Sequence, residues 1–143
     1  MSRKGNRVGN EKNLFMATAM FSKDGGPLTA KAVFLGDLIA DYGMFLKEKD
    51  SNLQTELLHG DNTNAEDDSS QLPTPCIINH GRKVKLETIF VGNHPDINKD
   101  YEIRLEIWQD DLIVGVDIDK STEQHFLNGK AQPSLLLITL IAQ

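Results

Sequence analysis

Hydrophobic and polar positions alternate along much of this chain, most cleanly over residues 101–109 and 111–119. In the first segment Tyr101, Ile103, Leu105 and Ile107 fall on one side, and Glu102, Arg104, Glu106 and Trp108 on the other. In the second, Leu112, Val114, Val116 and Ile118 repeat the period of two. Successive side chains leave opposite faces of a strand, so this period describes half-buried strands. The two segments meet at Asp110-Asp111 and predict an antiparallel hairpin with one apolar face.

The same reading extends outward. Residues 13–22 predict a first strand, ended by the turn cluster Lys23-Asp24-Gly25-Gly26-Pro27, and residues 28–35 its hairpin partner. Residues 36–49 are ambiguous. Leu38, Ile39, Tyr42, Phe45 and Leu46 have helical spacing, whereas Leu38, Ala40, Tyr42, Met44 and Leu46 alternate. Gly43 costs a helix about 1 kcal/mol and equally marks a bulge, so the balance leans to strand. Short strands are expected at 53–58 and 74–79, and a longer one at 83–91 with Val84, Leu86, Thr88 and Phe90 on one side. Residues 92–100 read as a loop, and Ser121-Thr122-x-Gln124 offers a cap for one helical turn before the final strand at 134–142.

Seven or eight strands with turn signals between them, and no crossover helices, predict an all-β fold. The expected form is an antiparallel β-sandwich, immunoglobulin-like or jelly-roll-like, with at most one short helix. Residues 11–143 form its single domain. Residues 60–73 (GDNTNAEDDSSQLP) are too polar to order themselves and are expected to be a mobile acidic loop.

Charge adds a second division. Residues 1–10 carry Arg3, Lys4 and Arg7 without an acid, giving a basic tail expected to be disordered; residues 11–72 hold 5 basic and 11 acidic groups, and the whole chain has net charge −6. An acidic body argues against a nucleic-acid platform, because phosphate neutralisation requires clustered Lys and Arg; only the tail suits such a contact. The one cysteine, Cys76, suits a reducing compartment. No stretch approaches the ~20 apolar residues of a membrane helix, so a cytoplasmic protein is expected.

Catalytic and cofactor chemistry find little support. Asp96-x-Asn98-x-Asp100 and Asp117-x-Asp119-x-Ser121 begin like calcium loops, but the sixth positions are Tyr101 and Thr122 and the twelfth Ile107 and Asn128, where an EF-hand needs Gly and an acid. His59, His80, His94 and His125 show no zinc-type pairing, and Cys76 with His80 supplies only two groups. Cys76 precedes Ile77-Ile78, an apolar setting for an inert thiol. There is no nucleophile elbow, and Gly25-Gly26-Pro27 lacks the ending of a phosphate loop. No catalytic, cofactor or metal residue is assigned, and the chain is expected not to be an enzyme.

Two features point to association. Trp108 falls on the polar face of its strand, where an exposed aromatic suits an interface anchor. The final strand is apolar on both faces, with Leu135, Leu137, Thr139 and Ile141 on one and Leu136, Ile138, Leu140 and Ala142 on the other. A strand with one wet face should alternate, so this one needs cover on both, from its own chain or from another copy. The interface candidates are Trp108, Leu136, Ile138 and Leu140. The expected function is a self-associating structural or adaptor component of a viral, phage or bacterial assembly, partnered by itself or another protein. The alternative is a sandwich binding carbohydrate or calcium through loops 60–73 and 92–100.

Overall fold

A computed structural model describes residues 17–62, 68–94, 100–121 and 130–143. The described strands are β1 (Ala17–Phe21), β2 (Leu28–Gly36), β3 (Leu38–Lys47), β4 (Gln54–Asp61), β5 (Ser69–Gln71), β6 (Lys83–Gly92), β7 (Tyr101–Gln109), β8 (Leu112–Lys120) and β9 (Gln132–Ala142). They form a five-stranded sheet in the order β1-β9-β6-β3-β4 and a four-stranded sheet in the order β5-β2-β7-β8. The fold is an all-β sandwich. Every pairing is antiparallel except β1 with β9, which run parallel.

The core lies between the sheets. The five-stranded sheet contributes Phe21, Met44, Leu86, Phe90, Leu136, Ile138 and Leu140, and the four-stranded sheet Leu28, Ile103, Leu105 and Ile107. The alternation at 83–91 is realised, since Val84, Leu86, Thr88 and Phe90 are all buried. Residues 38–47 are strand, not helix: Leu38, Ala40, Tyr42, Met44 and Leu46 line the core, so alternation outweighs the helical spacing.

Between β2 and β3 the chain changes sheets across Asp37 alone. Gly36 permits this with φ 109°, and a Cβ there would sit 2.6 Å from the Asp100 carbonyl oxygen. That approach requires glycine.

Several expectations are corrected. Residues 13–35 are not a hairpin, because β1 and β2 belong to opposite sheets and the turn cluster arches between them. Gln109 ties that arch down: its Oε1 accepts from Ser22 N (2.9 Å), and its Nε2 donates to the carbonyls of Ser22 (2.9 Å) and Gly26 (3.0 Å). Residues 74–79 are not a strand. Pro73 and Pro75 have no N–H for a ladder, and Cys76–Asn79 forms a 3-10 turn in which Asn79 donates to the carbonyls of Pro73 and Cys76. Segment 60–73 is not loop throughout, since β4 reaches Asp61 and Ser69–Gln71 pairs with β2 as β5. Residues 1–10 and the proposed helical turn at 122–129 lie outside the described residues.

The hairpin β7–β8 forms through Asp110 and Asp111, with φ 50° and 65°, and Gln109 opposite Leu112. Its two apolar faces do not coincide. The register shifts at Ile107/Trp108, so that Trp108 pairs with Ile113 but Ile107 pairs with Gly115, leaving Val114 as the extra residue. A one-residue bulge turns over every side chain beyond it. Gly115, Asp117 and Asp119 therefore stand opposite Ile107, Leu105 and Ile103, and Val116 and Ile118 join Glu106 and Arg104 outside. Val116 is 37% exposed and Ile118 43%.

The bulge suits the closed edge of the sandwich. A Cβ on Gly115 would lie 2.5 Å from the Ala19 Cβ, so only glycine lets β8 pass over β1. Asp117 Oδ2 accepts from Leu137 N at 2.9 Å, which ties β8 to β9.

Candidate functional site

β9 has one core face and one outer face. Leu136, Ile138 and Leu140 are fully buried within their own sandwich, so these three interface candidates offer nothing to a partner. The error lay in assigning the faces. Alternation correctly separates the two sets but does not say which one meets the core. Leu135, Leu137, Thr139 and Ile141 face outward, and Leu135 is 53% exposed. Residues 36–49 do not cover them, because β3 lies in the same sheet, beyond β6.

The outer face of the five-stranded sheet is ordered by register. Lys83 of β6 stands between Thr139 and Lys47, Lys85 between Leu137 and Phe45, Glu87 between Leu135 and Gly43, and Ile89 between Pro133 and Asp41. Leu135, Ile89 and Ile39 run diagonally across β9, β6 and β3, about half exposed at 53%, 54% and 45%. Charge is biased along the strands. Lys47, Lys83 and Lys85 gather toward one end, with Glu56 at the edge of the Lys85 row, while Glu87, Asp41 and Asp61 lie toward the other. Lys85 meets Glu87 at 3.0 Å and lies 5.3 Å from the centre of the Phe45 ring.

Trp108 lies on the outer face of the four-stranded sheet, paired with Thr29 and Ile113. It is half-buried, and its Nε1–H donates to Glu106 Oε1 at 2.9 Å. Glu106, itself buried, also receives Arg104 Nη2 at 2.8 Å. The indole orientation is thus fixed by a charged pair on its own strand. Beside it opens a groove of about 550 Å³ bordered by Thr29, Lys31, Ser69, Gln71 and the Asp110-Asp111 turn.

Other sequence candidates are dispersed. Cys76 Sγ is turned toward the carbonyls of Ser22, Lys23 and Gly25 at 3.4–3.6 Å, so it belongs to the bonding of the arch. His80 Nδ1 accepts from Ala142 N, His94 meets Asp37 at 2.7 Å, and His125 lies outside the described residues. No group of three or more His, Cys, Asp or Glu suited to a metal ion occurs among the described residues. Residues 63–67 and 95–99 of the two proposed ligand loops lie outside them. No helix among the described residues is long and apolar enough to cross a membrane.

Sequence reasoning missed the groove, because its walls come from β5, β2 and β7, which are far apart in the chain. It also missed the bulge, for which Gly115 inside a strand was the available signal. Comparison with protein-family models, curated proteins and solved structures finds no match for this chain.

Proposed function

We propose that this protein is a non-enzymatic association module, a structural or adaptor component that pairs with a second copy of itself through the outer face of the five-stranded sheet. The observation that carries this reading is the diagonal of half-exposed Leu135, Ile89 and Ile39 on a face with lysines gathered toward one end and Glu87, Asp41 and Asp61 toward the other. A two-fold axis across the strands, between the Lys85 and Glu87 rows, makes that face complementary to itself. Lys85 then meets Glu87 of the second copy, Lys47 meets Asp41, Glu56 meets His59, Leu135 meets Leu137, Phe45 lies over Gly43, and the aliphatic stem of Lys83 covers Ile89. Isologous contacts require this kind of self-complementarity.

The size is adequate. Five strands span about 24 Å and the longer ones about 33 Å, giving an area on the order of 700 Å². A standard interface buries about 800 Å² per partner.

Charge-swap variants followed by sedimentation velocity test the pairing. Asp41→Lys alone and Lys47→Asp alone should each weaken the dimer by opposing like charges. The double variant should restore it, because the swapped charges again face each other. Equal sedimentation of all four proteins at every concentration contradicts this geometry.

A further inference from the structure

We infer that the groove beside Trp108 is a carbohydrate-binding site, separate from the self-association face and on the opposite sheet. The N–H of Trp108 is committed to Glu106, and Glu106 is in turn held by Arg104. What the indole offers a ligand is therefore ring surface, set at a fixed orientation. Orientation is what stacking requires, and here it is provided before any ligand arrives.

The surrounding groups suit hydroxyls. By register, Gln71, Thr29 and Trp108 form one row across β5, β2 and β7, and Ser69, Lys31 and Glu106 form the next. Thr29 and Ser69 offer hydroxyls, Gln71 an amide that both donates and accepts, Lys31 an ammonium and Asp111 a carboxylate. Three strands span about 10 Å and two rows about 7 Å, the scale of one or two sugar rings. The depression is open to solvent, as a site that takes one face of a sugar ring requires.

Other ligand classes fit less well. One lysine beside Asp110 and Asp111 leaves the border net negative, which disfavours phosphates and nucleic acid. A lipid or apolar peptide would leave these polar groups desolvated without partners. A pyranose meets both demands, since its C–H face packs on an aromatic ring and its equatorial hydroxyls point outward to the polar rim. Catalysis is not part of the inference.

Trp108 is the one tryptophan in the chain, so its fluorescence reports on this groove alone. The protein should be titrated with cellohexaose, xylohexaose, chitohexaose, maltohexaose and galactose, and hits followed by calorimetry. At least one sugar should shift or quench the emission saturably, with Kd below about 1 mM. Trp108→Ala should abolish the calorimetric signal, and Trp108→Phe, which keeps a ring, should weaken it less. Gln71→Ala, at an exposed position of an edge strand, should weaken binding about 3- to 10-fold with an unchanged melting temperature. Two results overturn the inference: no saturable change with any of the five sugars, or binding that persists undiminished in both Trp108→Ala and Gln71→Ala. Because the association face lies on the other sheet, neither result bears on self-pairing.

Discussion

Gly115 of β8 passes so close to Ala19 of β1 that a Cβ on the glycine would come within 2.5 Å of the alanine Cβ. This contact closes one edge of the sandwich and stands beside the bulge that turns the apolar residues of β8 outward. Gly115→Ala should therefore destabilise the protein by about 1–3 kcal/mol through overpacking. Ala19→Gly should recover only a small part of that loss in the double variant, because the Ala19 Cα, 2.7 Å from the same position, remains. Urea midpoints of the four proteins measure the coupling, and independent additive effects would show that the two residues do not meet.

The two faces of β9 should differ sharply in stability. Leu136→Ala removes a fully buried side chain and should cost about 2–5 kcal/mol. Leu135→Ala, at a half-exposed position, should change the stability of the monomer by less than about 0.5 kcal/mol. Chemical denaturation at low protein concentration separates the two, and similar losses would mean that the faces are misassigned.

That distinction marks how far the sequence could be read. Alternation at 83–91 and 101–109 identified the inner residues Leu86, Phe90, Ile103 and Leu105, because a core selects strongly for period two. At 134–142 both faces are apolar, so the pattern carried no sign, and Leu136, Ile138 and Leu140 were placed on the wrong side. At 112–119 the pattern was regular but misleading. A single extra residue at Val114 reverses the faces, beside a close contact with Ala19 of β1, almost a hundred residues away in sequence. Trp108 was placed correctly on the polar face, yet its groove was invisible because β5 was read as loop.

Thr88 and Ser134 stand opposite each other in register on the core side, and neither hydroxyl has a hydrogen-bond partner among the described residues. Burying an unsatisfied hydroxyl costs about 1–3 kcal/mol. Thr88→Val keeps the shape and removes the polar atom, so it should stabilise the fold by about 1 kcal/mol. A higher urea midpoint with an unchanged slope is the expected result.

Both tyrosines should resist ionisation. Burial, followed by the hydrogen bond to Asp68 and the charges of Asp68 and Asp61, holds the Tyr42 hydroxyl well above its usual pKa near 10. Burial and then Asp119 do the same for Tyr101. A folded-state pKa raised above the unfolded value contributes stability that is intact below about pH 10 and is lost as pH rises further, because only the unfolded chain then releases the protons. Stability should be insensitive to these groups from pH 7 to 9 and fall above about pH 10. Tyrosinate absorbance should rise together with unfolding, and a rise near pH 10 in the folded protein would contradict these environments.

The central claim is that the outer face of β9, β6 and β3 joins two copies of the chain, and light scattering coupled to size exclusion tests it most directly. At micromolar concentration the protein should elute with a mass about twice its 15.9 kDa. Leu135→Lys combined with Ile89→Lys should elute at the single-chain mass while keeping a folded β spectrum. A wild-type protein that stays at 15.9 kDa across that range would contradict the account.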